Sequence, residues 1–299
     1  MERLLIVGAG DVARRALPAL LARYATAALV RGDPAGLEGR GVRIVAGDLD
    51  RPESLAAAAD VVLHAAPPSE SGVRDERTRN LVAVLSGARM LPRRVVYIST
   101  SGVYGDCSGA WVDESRPVRP QTDRARRRVD AEQVLGDWGH RRGVEIVVLR
   151  VPGIYAADRL PLERLKSGAP VLRAEDDVYT NHVHADDLAA ICVRALERDA
   201  PAGLYNAADD TELKMGDYFD LVADRFRLAR PPRVSRAEGE QVIPPTLASF
   251  MRESRRLVNR RLKEALGVRL RYPTVFEGVP IRVASAHRSP LPVGERGEG

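Results

Sequence analysis

The chain is poor in cysteine, in aromatic residues and in long apolar runs, and each shortage excludes a class of function. Only Cys107 and Cys192 are cysteines among 299 residues, and their spacing is not that of a metal-binding motif. We therefore expect no metal site and a reducing, cytoplasmic compartment. No segment approaches the roughly 18 to 20 apolar residues that cross a bilayer, so we expect no membrane association. The apolar run at the N-terminus is only as long as a strand and ends in glycine, which is unlike a signal peptide.

Lysine is also scarce, because only three of the 46 basic residues are lysines. The formal net charge of +5 and the isoelectric point of about 9.4 raise the question of a nucleic-acid partner. The arginine clusters at 124–128, 141–142 and 252–261 have almost no aromatic residues between them for base stacking. We therefore attribute the charge to a general arginine bias and expect no nucleic-acid binding.

What the sequence does contain is a strand–turn–helix pattern at its start. The apolar run 4–7 leads into a G-x-G-x-x-A motif over 8–13, and a helical pattern follows. The first glycine permits a tight turn, and the second lets a diphosphate approach the backbone at the helix N-terminus. The candidate coenzyme residues of this corner are Gly8, Gly10, Asp11, Val12 and Ala13. The alternative is a tight turn that binds nothing.

Short β-type runs alternate with helical patterns over the first 150 residues. After the first strand, the β-type runs lie at 27–30, 42–45, 60–63, 95–98 and 144–149. The helical patterns lie near 12–22, 53–59, 73–89 and 125–139. This alternation predicts an α/β fold with a doubly wound parallel sheet, that is, a Rossmann fold.

The pattern loosens after Arg150, where prolines and glycines interrupt it. A strand at 178–184, a helix at 185–197, a strand at 204–206 and helices at 215–226 and 259–266 are predicted there. We expect a dinucleotide-binding domain over 1–153, to which 181–207 returns, and a smaller C-terminal substrate lobe made of 154–180 and 208–283. Residues 284–299 are rich in proline, glycine and charge, which predicts a disordered tail.

Five further motifs follow the glycine motif in a fixed order. They are Gly-Asp-Leu at 47–49, His-Ala-Ala-Pro at 64–67, Ser-Thr-Ser-Gly-Val-Tyr-Gly at 99–105, Arg-Val-Pro-Gly-Ile-Tyr at 150–155 and His-Val-His-Ala-Asp-Asp-Leu at 182–188. With these motifs the chain resembles, over roughly 1–280, the extended branch of the short-chain dehydrogenase/reductase superfamily, which includes sugar-nucleotide epimerases and dehydratases. Within that branch it is most similar to the atypical, YeeZ-like members.

The resemblance implies coenzyme contacts at the ends of the third and fourth strands. Asp48, next to Leu49, would accept a hydrogen bond from the adenine amino group, although it could instead cap the following helix. His64, Ala65 and Ala66 would lie along the adenine and ribose. His64 is equally well explained as a core histidine.

Arg31 follows the second strand, about twenty residues after the glycines, where an acidic residue would bind the ribose 2′-hydroxyl of NAD. A guanidinium there attracts a 2′-phosphate instead. Arg31 therefore favours NADP, with NAD still possible because Asp33 is close in sequence. Arg31 could also be an ordinary solvated loop residue.

Thr100 lies four residues before Tyr104, where the family places the hydroxyl that binds the substrate oxygen. The end of a parallel strand is also where open α/β sheets bind ligands. Ser99 and Ser101 are close alternatives, and Thr100 could instead cap its own loop.

The chain departs from the family at the next helix, which should carry Tyr-x-x-x-Lys. None of the eight tyrosines is followed four residues later by lysine, and counting back from Ala131-Glu132 places Arg124 at the tyrosine and Arg128 at the lysine. An arginine stays protonated near neutrality and cannot transfer the tyrosine's proton. Arg128 would still donate to the coenzyme ribose and Arg124 would clamp a carboxylate or phosphate, unless both lie on a solvated helix face.

Another side chain must then supply the proton if the protein is an enzyme. The candidates are Tyr155, Tyr104, Asp123 and Asp130. Tyr155 is the one that the resemblance implies to point toward the nicotinamide. His182 and His184 would lie on one face of a strand and close over the substrate or be structural, and without a third ligand they do not indicate a metal.

Two functions remain open on the sequence. One is an NAD(P)-dependent oxidoreductase or epimerase with a replaced proton donor and an unknown small-molecule substrate. The other is a non-catalytic dinucleotide-binding sensor or scaffold. We expect a monomer or a weak homodimer.

Overall fold

A computed structural model describes residues 1–32, 36–37, 39–55, 59–243 and 251–281. The strands are β1 Glu2–Val7, β2 Tyr24–Val30, β3 Arg43–Ala46, β4 Val61–His64, β5 Arg94–Thr100, β6 Trp111–Val112, β7 Glu145–Val151, β8 Gly153–Tyr155, β9 Val171–Leu172, β10 Tyr179–Thr180, β11 His182–His184, β12 Gly203–Asn206, β13 Leu213–Lys214, β14 Arg233–Val234 and β15 Arg256–Leu257. The helices are α1 Asp11–Leu21, α2 Glu76–Gly87, α3 Asp123–Arg142, α4 Leu162–Lys166, α5 Ala185–Leu196, α6 Met215–Phe226, α7 Arg236–Val242, α8 Arg260–Glu264 and α9 Val275–Gly278. Single 3-10 turns lie at Pro52–Ser54 and Ser101–Tyr104.

Seven strands form one parallel sheet in the order β12-β7-β5-β4-β1-β2-β3. β1 pairs with β2 on one side and with β4 on the other, so the strand order reverses between β1 and β4. In open parallel sheets this reversal opens a crevice at the carboxyl ends of the strands. The predicted fold class, a doubly wound parallel sheet with a smaller C-terminal region, is confirmed.

Helices cover both faces of the sheet because its strands are apolar on both sides. α1 and α5 pack together on one face over β1, β4 and β7. α2 and α3 cover the other face. A separate apolar cluster joins α4, α6 and α9 in the smaller region.

Local sequence signals set the ends of α2 and α3. Asp75 accepts a hydrogen bond from the Thr78 amide at the start of α2, and Thr122 accepts one from the Ala125 amide at the start of α3. α3 ends at Gly143, which adopts the left-handed conformation with φ of 67°. α3 therefore runs from the mouth of the crevice back to the start of β7.

Two predicted elements differ from the structure. The strand predicted at 178–184 is divided in two, because β10 pairs with β13 whereas β11 pairs with β8, and Asn181 between them bonds to the backbone of Arg255 and Leu257. The helix predicted at 53–59 is a single 3-10 turn that ends at Ser54, since Leu55 is extended. Residues 56–58 lie outside the described residues, as does the tail predicted at 284–299.

The segment 181–207 does contribute to the main sheet, because β12 pairs with β7. The limits proposed for the two domains remain predictions. Over the described part of the chain, the helices are too short or too polar for a membrane span.

Candidate functional site

The corner between β1 and α1 lies at the reversal of the strand order. Gly8 has a φ of +91°, and a Cβ there would lie 2.4 Å from the Ala66 nitrogen, so the turn presses against the loop after β4. Gly10 precedes α1 and no side chain caps the helix. A Cβ on Gly10 would meet none of the described atoms within 4 Å. The uncapped amides and the open space fit the diphosphate of a dinucleotide.

The three residues after Gly10 offer backbone rather than side chains. Val12 and Ala13 are buried in the core under α1. The Asp11 carboxylate accepts hydrogen bonds from Arg15 at 3.0 Å and Arg159 at 2.9 Å. Partial burial alone would raise the pKa of Asp11, but these hydrogen bonds outweigh it and lower that pKa. Asp11 thus joins α1 to the loop after β8.

After the end of β3, Asp48 makes hydrogen bonds only a few residues away along the chain. Its Oδ1 accepts from the Asp50 amide at 3.0 Å, and its own amide donates to Ser54 at 2.9 Å. Leu49 is buried, and its carbonyl accepts from Asn80 at 2.7 Å. Asp48 thus closes its own turn and does not cap the following 3-10 turn, whose N-cap is Arg51 without a side-chain cap, so the capping alternative is wrong and the adenine contact stays a prediction.

Arg31 is exposed and lies 3.6 Å from Asp50. Asp50 is held more tightly by Arg77 of α2, with two hydrogen bonds of 2.8 and 2.7 Å. The sequence did not indicate Arg77, because it lies 27 residues from Asp50. The two guanidiniums flank one carboxylate where a ribose phosphate is expected.

At the end of β4, His64 is fully buried, and its Nε2 lies 2.9 Å from the Thr78 hydroxyl. Burial and the nearby charge of Arg128 lower the pKa of His64 to about 3, so it is neutral. Ala65 donates from its amide to Val7 at 2.8 Å, and Ala66 lies against Gly8. His64 is therefore a core residue, and the two alanines form the edge of the crevice.

A cleft of about 600 Å³ opens at the carboxyl ends of β5 and β7, between the sheet and the smaller region. Thr100 lines it, and its hydroxyl accepts from the Gly102 amide at 3.2 Å. Thr100 therefore caps the 3-10 turn and still faces the cleft. Ser99 bonds instead to Glu132 of α3 at 2.5 Å.

Next to the cleft, residues of three quoted motifs form a charged cluster whose pairing the sequence did not indicate. Glu132 and Arg150 pair at 2.7 Å with side chains only 8% and 5% exposed. The Arg150 guanidinium lies 4.8 Å from the Tyr104 ring centre, and Tyr104 donates to Asn206 at 2.8 Å. An arginine inside an apolar strand was the available signal. This cluster holds α3 against β5 and β7.

The prediction that Tyr155 points toward the coenzyme is wrong. Its ring is buried in the apolar cluster of the smaller region, and its hydroxyl donates to the Thr274 carbonyl at 3.2 Å. Side chains alternate along a strand, and in β8 it is Ile154 that lines the cleft. Burial raises the pKa of Tyr155. Tyr104, bonded to Asn206, also has its hydroxyl turned away from the cleft.

The two aspartates proposed as donors have other partners. Asp123 pairs with Arg126 at 2.6 Å on the exposed side of α3. Asp130 accepts from the Asp75 amide at 2.9 Å and pairs with Arg79. Neither lines the cleft in the described part of the chain.

The two histidines of β11 are structural. His182 stacks on Tyr218 with ring centres 4.3 Å apart, and burial lowers its pKa to about 3. His184 accepts from the Asp186 amide at 3.2 Å and so caps α5. Within the described ranges, no three metal-ligating side chains come together.

Several arginines lie among the described residues of the cleft wall. Arg128 of α3 donates through Nη1 to the Tyr97 hydroxyl and to the Ile98 carbonyl, each at 2.9 Å. Arg124 lines the cleft one turn earlier. Sequence reasoning identified these two but missed the arginines contributed by distant segments, which are Arg159, Arg164 and Arg255.

Among known protein families, the model of the NAD dependent epimerase/dehydratase family matches residues 4–208 of this chain. No curated protein matches this chain. A solved structure, described as a functionally unknown conserved protein from Silicibacter pomeroyi DSS, is 28% identical, covers 93% of this chain and 96% of its own, and has a TM-score of 0.74.

Two more distant structures contain coenzymes. The UDP-glucose 4-epimerase of Thermus thermophilus, in complex with NAD, is 22% identical, with 93% and 97% of the two chains covered. A human epimerase family protein with NADPH is 17% identical, with 92% and 97% covered. Both have a TM-score of 0.72 and at such identities show the fold alone.

Proposed function

This chain belongs to the NAD dependent epimerase/dehydratase family, and on that premise we propose an NADP-dependent oxidoreductase or epimerase-like enzyme with a replaced proton donor. The β1–α1 corner carries the proposal. Gly8 is pressed against Ala66, and the space beyond Gly10 is open at an uncapped helix N-terminus. Backbone amides of 11–13 would hold the diphosphate. The bound nicotinamide would supply or accept the hydride.

The preference for NADP is supported by the charges around Arg31. In the protein alone Arg31 and Arg77 share Asp50. A 2′-phosphate carries more charge than one carboxylate and would engage Arg31 from its exposed side. A free ribose hydroxyl would gain less from a guanidinium.

In the cleft we propose that Thr100 binds the substrate oxygen and that Arg128 donates to the coenzyme ribose. Apart from arginines and alcohols, the titratable groups among the described lining residues are Tyr179 and Glu253. They replace Tyr155 as the candidate proton donors. The YeeZ-like assignment within the family is part of this proposal.

The second candidate is a dinucleotide-binding sensor or scaffold without turnover. It is supported by Arg124 and Arg128, which line the cleft where the resemblance places the tyrosine and lysine. Arginine holds anions and hydroxyls well but does not transfer protons near neutrality.

Calorimetric titration with NADPH and NADH tests coenzyme binding first. We expect NADPH to bind at least ~10-fold more tightly, and absence of heat and of thermal stabilisation with both coenzymes would refute the proposal. NADPH oxidation with a panel of carbonyl substrates then tests turnover. Loss of that activity in Tyr179→Phe or Glu253→Gln would identify the donor, and binding without turnover would favour the sensor.

We further propose a small-molecule substrate, a cytoplasmic location and a monomer or weak homodimer, without nucleic-acid or membrane partners. The arginine-rich composition with few aromatic residues supports the exclusion of nucleic acid. Sedimentation velocity over a range of concentrations tests the oligomeric state.

A further inference from the structure

Among the described residues that line the cleft, arginines outnumber carboxylates. Five arginines are contributed by α3, the loop after β8, α4 and the segment before β15, namely Arg124, Arg128, Arg159, Arg164 and Arg255. Among the described lining residues the only carboxylate is Glu253. Glu253 pairs with Arg255 at 2.8 Å, and Arg159 pairs with Asp11 outside the cleft at 2.9 Å.

Arg164 shows the imbalance most clearly. No carboxylate of the described residues pairs with it, although its Nε is buried without a hydrogen-bond partner there. Its guanidinium stacks over Phe219 at 4.4 Å, and Nη2 donates to the Pro170 carbonyl at 3.0 Å. Burial lowers the pKa of Arg164 to about 10, because desolvation disfavours the charged guanidinium. Buried charges in proteins are usually paired, so an anionic ligand would supply the partner that the described carboxylates do not.

Two more of these arginines lie on α3. Arg124 and Arg128 are one helical turn apart, so both reach the same side of the helix. Burial, only partly offset by the charge of Glu253, lowers the pKa of Arg124, and Arg128 and Arg127 lower it further. Both hydrogen bonds that Arg128 donates to described residues use Nη1, which leaves Nε and Nη2 to a ligand.

We propose that this cleft binds a small polyanion, bearing phosphate or carboxylate groups, between Arg124 on α3 and Arg164 on α4. The inference rests on the proposed function only in taking the cleft as the substrate site. It adds that an anionic group lies beside Thr100, at the reacting end of the substrate, where the family's tyrosine would meet a neutral hydroxyl.

The size and chemistry of the cleft agree with this class of ligand. A volume of about 600 Å³ is typical of metabolite sites. Guanidinium groups bind phosphate and carboxylate oxygens in pairs. A neutral ligand would displace water from these charges without replacing its hydrogen bonds, which disfavours binding.

Inorganic pyrophosphate and citrate are suitable probes, because they separate the phosphate from the carboxylate source. Each is titrated by calorimetry at constant ionic strength into the protein saturated with NADP⁺, so that the β1–α1 corner is filled. The titration is repeated without coenzyme in Gly10→Asp, where that corner is closed to anions. We expect at least one probe to bind below about 1 mM in both. Binding by one probe alone assigns the source.

Two pairs of variants locate the binding. Arg124→Gln and Arg164→Gln should each weaken it at least ~10-fold, and Arg164→Lys should restore most of the Arg164 loss. The matched controls are Arg126→Gln, exposed on α3 and paired with Asp123, and Lys166→Gln, exposed on α4 and paired with Glu163. They should change affinity less than ~2-fold, because each removes the same charge outside the cleft.

Several results would overturn the inference: no binding of either probe, equal losses in the controls, or unchanged affinity in Arg164→Gln with a native thermal midpoint. Failure of coenzyme binding is a separate result. If NADPH does not bind but the probes still bind to Gly10→Asp protein, the proposed function falls and the anion site stands.

Discussion

The two halves of the crevice differ in which groups face a ligand, backbone in one and side chains in the other. The half at β1 and β4 consists of backbone, where Gly8 lies against Ala66 and the start of α1 faces open space. In the half at β5, α3 and α4, charged side chains lie among apolar ones, and they include the buried Glu132–Arg150 pair and Arg164. Backbone amides can bind the same coenzyme whatever the side chains are, whereas a substitution of one side chain changes which substrate a side-chain site binds. The two halves therefore differ in what they offer a ligand: backbone amides in open space at one end and charged side chains at the other.

The largest effect should come from the charged half. Glu132→Gln leaves the guanidinium of Arg150 buried without its partner, and we expect a loss of about 3 kcal/mol in the free energy of unfolding, measured in urea. The control is Glu163→Gln, which makes the same change in the pair with Lys166, where both side chains are exposed. It should cost less than about 1 kcal/mol. Equal losses would show that burial of the ion pair is not what matters.

In the backbone half, Gly10→Asp should weaken NADPH binding at least ~100-fold, because it sets a carboxylate against the diphosphate. Folding should be preserved, since the position precedes α1 and aspartate is a good helix cap. Gly136→Asp adds the same charge to open space on α3 and serves as the control. Calorimetry with unimpaired binding in Gly10→Asp would remove the site from this corner.

A smaller effect should follow at the rim of the same half. Arg31→Asp should shift the ratio of NADPH to NADH affinity toward NADH by ~10-fold, because a carboxylate repels the 2′-phosphate. Asp50→Asn should shift it the other way by freeing Arg31. Arg43→Asp, exposed at the opposite end of the sheet, is the charge control. An unchanged ratio in Arg31→Asp would exclude this residue from coenzyme choice.

The smallest expected effect is the change in unfolding free energy with pH that comes from two buried histidines, His64 at the end of β4 and His182 in β11. His64 and His182 have pKa values lowered to about 3, against about 6.5 in the unfolded chain. Their neutral forms are favoured by folding, so stability is full above a pH of about 6.5 and falls as the pH drops toward about 3. Between a pH of about 7 and about 5.5 each should cost about 1 kcal/mol.

Urea unfolding of His64→Asn and His182→Asn at both pH values measures this contribution. Each variant should lose about 1 kcal/mol of the pH dependence. A variant with the full wild-type dependence would show that its histidine is not buried as described. Two separate transitions would show that the regions around the two histidines unfold independently.

Much of the backbone half could be predicted from sequence because its signals are local. A strand, two glycines and a helix start lie within about ten consecutive residues. In both halves the helix caps are local as well, because Asp75 and Thr122 act on amides three residues away. The failures have non-local causes. Whether Tyr155 points into the cleft or into the apolar cluster depends on which face of β8 packs against the smaller region. A one-residue change in register reverses that face.

The sequence by itself determined the parallel fold, the glycine corner and the fact that no tyrosine is followed by lysine four residues later, because each depends on neighbouring residues. Only the tertiary structure decided the charge of the cleft. Arg124 and Arg164 are 40 residues apart, and no periodicity relates a helix on the sheet to a short helix of the smaller region. Burial is also decided only by the tertiary structure. The sequence does not distinguish a solvated arginine from a partly buried one, but only the buried charge needs an anion to replace the water it has lost.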